Sequence, residues 1–218
     1  MKVAIFGASS RLSIELMNRL SELDVTSYGR SAGDVFFDAE DISLLAMEKL
    51  FKSRQDVYIF NLGLLQGVRI LDQTTDDMYK SLCVNALFSI KSCEYILKHN
   101  PNARIFIIGS ESGKKGSYDT SYFLAKSMLR AYVKERKLSS PNQQLLLISP
   151  STIEDGKMTT DRTDIELLSN YKEAHPKKRF LSSEEVSNFI YDIITNESTY
   201  LCNTEIELNG GKFARMAY

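Results

Sequence analysis

The stretch Lys2-Val-Ala-Ile-Phe-Gly-Ala-Ser-Ser-Arg-Leu-Ser13 decides the fold. Its opening residues form a short apolar run that predicts a buried β-strand, and Gly7 follows this run at once. Leu12, Leu16 and Leu20 then recur at helical spacing. The stretch therefore predicts a strand, a glycine-led turn and a helix, which is the opening unit of an α/β sheet.

Short apolar runs and helical repeats alternate along the rest of the chain. Further strands are predicted at 24–28, 34–38, 56–61, 104–110, 144–150 and 204–208. Helices are predicted from Asp41, taken as an N-cap, and over about 75–98, 120–137 and 183–195. Strands this apolar are expected when helices cover both faces of a parallel sheet. The prediction is an α/β fold in one domain over 1–218, with a doubly wound, Rossmann-like parallel sheet of about seven strands.

Composition narrows the class of protein. The 218 residues are 43% hydrophobic, which suits one domain with a full core. The formal net charge of −1 predicts no nucleic-acid partner, and the lack of any run of eighteen apolar residues predicts no membrane span. Three scattered cysteines and two histidines without ligand spacing predict reduced thiols, no metal site and a cytoplasmic protein.

Three polar side chains are expected to meet where the strand 104–110 ends. Ser110 ends that strand, and Tyr122 and Lys126 are four residues apart on the next helix, so they share one face. A phenol has a pKa of about 10, and a neighbouring ammonium favours phenolate and lowers that pKa. The trio predicts proton exchange with an alcohol or carbonyl, although the Tyr–Lys pair alone also fits an ordinary amphipathic helix.

The first turn is the natural dinucleotide site of such a fold. Gly7 fits the first glycine position, and N–H groups at the helix start receive pyrophosphate; Arg11 and Ser13 stand where further glycines are expected. The second strand ends in Ser27-Tyr-Gly-Arg30, without the carboxylate that NAD-binding domains use. Arg30, aided by Arg11, can pair with a 2′-phosphate. We therefore expect NADP(H) in preference to NAD(H), unless Arg30 is a solvated loop cation.

Taken together, these features resemble the short-chain dehydrogenase/reductase superfamily over essentially the whole chain. The motifs occur in the family's order: Gly7-Ala-Ser-Ser-Arg-Leu-Ser13, Asp38-Ala39, Asn61-Leu-Gly63, Val84-Asn-Ala86, Ser110-Glu-Ser-Gly113, Tyr122-Phe-Leu-Ala-Lys126, Ser149-Pro-Ser-Thr-Ile153, Arg179–Val186 and Leu208–Gly211. The last two resemble the closing region of 3-oxoacyl reductase-like members.

The resemblance implies a carbonyl–alcohol oxidoreductase. Tyr122 would be the general acid or base, and Ser110 would hydrogen-bond the substrate oxygen. Lys126 would hold the nicotinamide ribose and lower the Tyr122 pKa, while Asn85 would support a water-linked proton relay. Cofactor contacts are implied for Gly7, Ser9, Ser10, Arg11, Leu12, Arg30, Asp38, Ala39, Asn61, Leu62, Gly63, Tyr122, Lys126, Pro150 and Ile153.

Plainer interpretations stay open for some of these residues. Asn85 can be a helix-interior asparagine, and Ser112 can replace Ser110 if the strand register slips by two. Departures from the family pattern, which include Ser151 after Pro150, put cofactor affinity in question.

The polar segment at about 154–180 resembles the family's variable substrate lid and predicts a small polar substrate. Family likeness also implies a homodimer or homotetramer through the helices at 75–98 and 120–137. The alternative function is a catalytically silent member that acts as a dinucleotide-responsive binding or assembly subunit.

Overall fold

One all-parallel sheet organises the chain. The computed structural model describes residues 1–196 and 198–214. Within these residues the sheet has seven strands in the order β3-β2-β1-β4-β5-β6-β7. The strands are β1 (Lys2–Phe6), β2 (Asp24–Gly29), β3 (Val35–Phe36), β4 (Val57–Phe60), β5 (Arg104–Ile108), β6 (Gln144–Pro150) and β7 (Thr204–Leu208). The predicted doubly wound, Rossmann-like α/β fold is confirmed.

Helices connect all the consecutive strands except β2 and β3. In the described part of the chain they are α1 (Arg11–Arg19), α2 (Leu44–Leu50), α3 (Thr75–Leu82), α4 (Phe88–His99), α5 (Ser112–Lys115), α6 (Thr120–Glu135), α7 (Lys157–Thr160), α8 (Ile165–Ala174) and α9 (Ser183–Thr195). A 3-10 turn, Ile70–Asp72, precedes α3. No helix among the described residues is long and apolar enough to cross a membrane.

Several predicted boundaries need correction. The strand predicted at 34–38 is Val35–Phe36, the one predicted at 56–61 is Val57–Phe60, and the helix predicted to 137 ends at Glu135. The helix expected to start at Asp41 starts at Leu44, because Ser43 is the N-cap and its hydroxyl accepts the Ala46 N–H at 3.2 Å. The helix expected over 75–98 is interrupted by a π-helical turn, Cys83–Leu87, between α3 and α4. The fifth strand ends at Ile108, two residues before the predicted end.

The hydrophobic core lies on both faces of the sheet. On one face Phe6 stacks against Tyr28 and Phe60, with ring centroids 4.3 and 4.8 Å apart. On the other face Leu16 of α1 and Ile190 of α9 are buried against the central strands. Because both faces are covered, the central strands read as unbroken apolar runs rather than alternating ones.

Arg104 is the first residue of β5, and its side chain caps the C-terminal end of α9. Its buried guanidinium donates to the carbonyls of Ile193, Ile194 and Asn196 at 2.7, 2.8 and 3.0 Å. It also donates to the side-chain oxygen of Gln144 at 2.8 Å. The last carbonyls of a helix lack partners within the helix and carry partial negative charge, so a buried cation satisfies them.

We expect Arg104→Leu to lower the free energy of unfolding by about 3 kcal/mol, because several buried carbonyls lose their donor. Urea denaturation of both proteins measures this difference. Arg54→Leu is the matched control, since Arg54 is exposed and its loss should cost less than about 0.5 kcal/mol. Equal losses in the two variants would contradict the assigned role of Arg104.

Candidate active site

The candidate site lies where the carboxyl ends of β1 and β4 meet. In a sheet of this order the strand order reverses between these two strands, and ligands bind in the crevice beyond that point. Gly7 follows β1 with a φ of 96°, and a Cβ there would lie 2.1 Å from the Asn61 carbonyl oxygen. A side chain at this position would collide with backbone and strain the turn. Only glycine fits between the two strands.

Three polar side chains hold the turn closed. Ser10 is the N-cap of α1, and its hydroxyl accepts the Ser13 N–H at 3.0 Å. The Asn61 amide donates to the hydroxyls of Ser10 and Ser13 at 2.5 and 2.8 Å. Ser13, placed where a glycine was expected, is fully buried. Its side chain is therefore accommodated between helix and sheet and bonded there.

The start of α1 presents free hydrogen-bond donors. Among the described residues, no group accepts a hydrogen bond from the N–H of Arg11 or Leu12. These groups lie at the positive end of the helix dipole, where an anion such as pyrophosphate is favoured. Leu12 turns its side chain into the core and Ser9 is exposed. The turn thus has the donors that a dinucleotide phosphate requires.

The two candidate cations of the cofactor site both face carboxylates. Arg11, whose side chain is 54% exposed, lies 2.5 Å from Glu15 and 3.7 Å from Asp155 in the predicted lid. Arg30, whose side chain is 65% exposed, lies 3.7 Å from Glu40. Exposed pairs of this kind are weak, so an incoming phosphate can compete for either guanidinium.

The adenine-side candidates follow β3. The Asp38 carboxylate accepts the Glu40 N–H at 3.0 Å, and Ala39 is buried against the aromatic core. Glu40 also faces Lys80, 3.3 Å away. The structure therefore brings Arg30 and the Asp38–Ala39 pair to neighbouring positions at one end of the sheet.

Lys126 ties the ends of two strands together. The residue is 2% exposed, and its ammonium donates to the Leu62 carbonyl at 2.9 Å and to the Ile108 carbonyl at 3.0 Å. The ammonium lies 5.7 Å from the centre of the Tyr122 ring. Burial lowers the pKa of Lys126 to about 7. The lysine is therefore close to its titration midpoint at neutral pH.

Tyr122 does not show the expected pKa shift. Burial raises the pKa of its phenol, a hydrogen bond with the Ser110 side chain lowers it, and the charge of Asp119 raises it. The net shift is upward, opposite to the expected effect of Lys126. The physical reason is that burial disfavours the charged form of both groups, and the ammonium is engaged by two carbonyls. Burial therefore favours the neutral form of the Tyr122 phenol.

Ser110, and not Ser112, is the serine that meets the phenol. Ser110 carries the hydrogen bond to Tyr122, whereas Ser112 starts α5 and donates its N–H to the Ser110 hydroxyl at 3.1 Å. The strand register does not slip by two, since Ile107 and Ile108 pair with the β6 residues Leu147 and Ile148.

Asn85 lies in the π-helical turn and is buried. Its side-chain oxygen accepts the Leu64 N–H at 2.7 Å, and its amide donates to the Leu64 carbonyl at 2.9 Å and the Ser81 hydroxyl at 3.0 Å. Single π-helical turns often mark functional sites. The Asn85 side chain is therefore engaged by Leu64 and Ser81. This agrees with the alternative that Asn85 is a structural asparagine in the helix interior.

The remaining candidates border the predicted lid. Pro150 ends β6 and its carbonyl accepts the Glu111 N–H at 3.0 Å, while Ile153 pairs with Leu181 in a short parallel bridge. A Cβ added to Gly63 would lie 2.6 Å from the terminal methyl of Met158 in α7. Met158 therefore reaches over the backbone that follows β4.

Known proteins resemble this chain in both sequence and fold. The 3-oxoacyl-(acyl-carrier-protein) reductase FabG of Aquifex aeolicus is 26% identical over 218 residues, covering 91% of this chain and 84% of that protein. FabG of Buchnera aphidicola subsp. Baizongia pistaciae is 27% identical over 175 residues, covering 77% of this chain and 71% of that protein. No protein-family model matches the sequence.

Solved structures of similar fold include two short-chain dehydrogenase/reductases. An oxidoreductase of this family from Burkholderia thailandensis has a TM-score of 0.81 at 18% identity, covering 98% of this chain and 92% of that one. A double mutant of a Serratia marcescens short-chain dehydrogenase/reductase has a TM-score of 0.81 at 20% identity, covering 98% of each chain.

In sequence and in fold, the chain resembles the short-chain dehydrogenase/reductase superfamily. The likeness to 3-oxoacyl reductases inferred from the sequence is confirmed as a resemblance. The first turn departs from the pattern of that superfamily, because Arg11 and Ser13 stand where glycines are expected. The Ser10–Ser13–Asn61 network shows how this chain accommodates a serine at one of those positions.

Sequence reasoning missed Asp119, the N-cap of α6. This residue is 2% exposed, and its carboxylate accepts the Tyr122 N–H at 3.1 Å. Burial alone would raise its pKa, but four hydrogen bonds, from Gln66, Tyr122, Ser121 and Gln73, outweigh burial and hold the pKa below its usual range. The signal that could have found it is an aspartate three residues before the tyrosine, at the spacing of an N-cap.

The lowered pKa of Lys126 predicts how the stability of the protein changes with pH. Between pH 7 and pH 9 the unfolded chain binds more protons at Lys126 than the folded protein does, so this residue makes stability rise with pH. We expect the unfolding free energy of the wild type, relative to Lys126→Met, to rise by about 1 kcal/mol per pH unit in this window. Below pH 7 the difference should be flat.

Chemical denaturation at pH 6, 7, 8 and 9 measures this difference, in which other titrating groups cancel. Lys134→Met in the same helix is the control, since Lys134 is exposed and its ammonium stays in water. If the difference in unfolding free energy between the wild type and Lys126→Met stays constant from pH 7 to pH 9, the Lys126 side chain is charged throughout that range.

Proposed function

We propose that this chain is an NADP(H)-dependent oxidoreductase that interconverts a carbonyl and an alcohol by hydride transfer, with Tyr122 as general acid or base. The observation that carries the proposal is the convergence of Ser110, Tyr122 and Lys126 at the carboxyl ends of β4 and β5. This crevice adjoins the first turn, whose free N–H groups suit a pyrophosphate. The names of its sequence relatives point to the same reaction type.

In the proposed mechanism Ser110 orients the substrate oxygen and Tyr122 exchanges a proton with it. The dinucleotide would supply or accept the hydride at the carbonyl carbon. In the reducing direction the neutral phenol gives its proton to the oxygen as the C–H bond forms, leaving a phenolate. Lys126, which titrates near neutrality, stabilises that phenolate, and solvent returns the proton. Asn85 supports this relay by fixing Leu64 beside the site.

The cofactor would lie along the residues brought together at this edge of the sheet. Gly7 to Leu12 would bind the pyrophosphate through backbone N–H groups, and Arg30 would pair with the 2′-phosphate after leaving Glu40. Asn61 to Gly63, Pro150 and Ile153 would border the nicotinamide end, with Lys126 near its ribose. Ser9, Asp38 and Ala39 would complete the adenosine side.

The substrate is proposed to be a small polar carbonyl or alcohol, because the lid over about 154–180 is rich in charged residues. A second candidate is an acyl thioester. Two observations favour it: the names of the relatives, and exposed apolar side chains near the crevice at Leu65, Val68 and Leu71. Family likeness further favours a homodimer or homotetramer through α3, α4 and α6, where Tyr79 and Leu124 are exposed.

Replacing the phenol separates chemistry from binding. We expect Tyr122→Phe to lower carbonyl reduction at least about 100-fold while leaving the Kd for NADPH within about twofold, since only the proton donor is lost. NADPH fluorescence measures binding, and absorbance at about 340 nm, where the reduced nicotinamide absorbs, measures turnover against a panel of polar carbonyls and 3-oxoacyl thioesters. Tyr118→Phe is the control, because Tyr118 is exposed and should leave both values unchanged.

The outcomes distinguish the two functional hypotheses. Turnover that survives in Tyr122→Phe would overturn the assigned role. No binding of NADPH or NADH at millimolar concentration would favour the catalytically silent alternative.

Cofactor preference is tested at Arg30. We expect Arg30→Ala to raise the Kd for NADPH about tenfold and leave the Kd for NADH unchanged, because a charge-assisted contact to the 2′-phosphate is lost. Fluorescence titrations with both nucleotides measure this selectivity. Arg54→Ala, an exposed arginine at the opposite end of the sheet, controls for net charge. Equal weakening of both nucleotides would contradict the 2′-phosphate contact.

A further inference from the structure

Asp119 is a buried carboxylate beside the site that the mechanism above does not use. One oxygen accepts the Tyr122 N–H at 3.1 Å, the Ser121 hydroxyl at 2.8 Å and the Gln73 amide at 3.0 Å. The other oxygen accepts the Gln66 N–H at 2.7 Å. A buried carboxylate is costly unless hydrogen bonds replace its water. These four donors, at the positive end of a helix, provide that replacement.

Two of the four donors come from a different part of the chain. Gln66 and Gln73 belong to residues 64–73, here called the mouth segment, which connects β4 to α3. Other contacts that anchor it are the two Leu64–Asn85 hydrogen bonds and the Gln66 amide, which donates to the Asp77 carbonyl at 2.9 Å. A single side chain on the Tyr122 helix therefore holds the mouth segment near both of its ends.

Apolar burial does little to hold this segment. Leu65, Val68 and Leu71 are exposed, and Leu71 is 93% exposed. The Arg69 guanidinium lies 5.2 Å from the Tyr118 ring centre, a contact at the surface. Because three of its five apolar side chains are exposed and the other two, Leu64 and Ile70, are only half-buried, the position of the mouth segment depends mainly on its polar contacts. Asp119 supplies those that join it to the catalytic helix.

We propose that Asp119 is a positioning residue for the reaction, whose carboxylate docks the mouth segment onto the first turn of α6 and so forms one wall of the substrate crevice. The inference rests on the proposed oxidoreductase function for its catalytic meaning. Leu62, two residues before the mouth segment, accepts a hydrogen bond from the Lys126 ammonium. The hydrogen bonds of Asp119 therefore set the distance between the mouth segment, as the wall of the substrate crevice, and Tyr122, as the proposed proton donor. The dinucleotide turn does not touch Asp119 and should be unaffected by its loss.

The charge of Asp119 also acts on the phenol. The groups that act on Tyr122 are Lys126 on α6, Asp119 at the N-cap of that helix and Ser110, which follows β5. Beyond them, Glu111 is paired with Lys115 and Lys212, and Arg69 lies over Tyr118. Asp119 favours the neutral phenol, which is the proton-donating form. The geometry behind this effect is the Asp119 carboxylate held 3.1 Å from the backbone nitrogen of Tyr122 itself.

The experiment compares Asp119→Asn with Gln73→Leu in the full-length protein. Gln73→Leu removes one of the four hydrogen bonds to Asp119 without changing any charge. It therefore separates the positioning of the mouth segment from the effect of the Asp119 charge on Tyr122. Nuclear magnetic resonance of ¹³Cζ-labelled tyrosine, assigned with Tyr122→Phe, gives the titration midpoint of Tyr122. Hydrogen exchange of the Leu64 and Gln66 amides reports on the mouth segment, with the β1 amides as internal reference.

We expect faster exchange of the two amides, by at least about tenfold, in both variants, and a Tyr122 midpoint lower by about half a pH unit or more in Asp119→Asn alone. With turnover, both variants should raise KM, and the alkaline limit of the pH profile should fall only in Asp119→Asn. The Kd for NADPH should stay within about twofold. The Tyr118→Phe variant should show none of these changes.

Unchanged amide exchange in the variants would overturn the docking role. An unchanged Tyr122 midpoint in Asp119→Asn would overturn the electrostatic role. Both measurements are made without substrate, so they decide the inference even if the wild type shows no turnover and the proposed function fails. If Asp119→Asn does not fold by far-ultraviolet circular dichroism, the exchange rates in Gln73→Leu decide the docking role.

Discussion

The site depends on one buried ammonium that bridges two strand ends. Lys126 reaches from α6 to the carbonyls of Leu62 and Ile108, and so joins this helix to the ends of β4 and β5. Its cost is desolvation, which brings its pKa down to about 7. The same contact places the lysine close to Tyr122 and holds the end of β4 where a nicotinamide would lie. The contacts of the Lys126 ammonium therefore fix the positions of the two strand ends, and the burial that comes with them lowers the pKa of the lysine.

Burial works against charge throughout this crevice. It raises the pKa of Tyr122 and lowers that of Lys126, so both groups are biased toward neutrality. Asp119 is the exception, because its four hydrogen-bond donors hold the carboxylate ionised in spite of burial. A neutral phenol beside a titrating lysine and a fixed anion is an arrangement suited to giving up a proton. This balance suits the reducing half of the proposed interconversion, in which the phenol gives up its proton.

The first turn shows how a glycine-poor sequence forms the Rossmann-like strand–turn–helix unit. Gly7 is sterically required, since a Cβ there would meet the Asn61 carbonyl. Ser13 is not excluded, because the Asn61 amide bonds its hydroxyl in the buried space. Arg11 projects outward to Glu15 and Asp155, and within 1–196 and 198–214 no group accepts a hydrogen bond from its backbone N–H. In this turn, side-chain hydrogen bonds take the place of the backbone freedom that further glycines would give. The number of glycines in the sequence does not predict those hydrogen bonds.

The sequence by itself determined the α/β class, the number of strands and the bounds of β6, β7 and α9. Apolar runs and helical periodicity are local signals, and strands buried on both faces carry them strongly. It also brought Ser110, Tyr122 and Lys126 to one crevice, because strand ends and helix faces follow from spacing.

Only the tertiary structure decided the rest. The π-helical turn at Asn85, the Ser43 cap and the role of Asp119 depend on contacts that spacing does not show, several of them with residues far along the chain such as Leu64 and Gln66. The direction of the Tyr122 pKa shift was wrong from sequence for a related reason. Desolvation is a property of the surrounding packing, and four-residue spacing to a lysine reveals nothing of how deeply either group is buried.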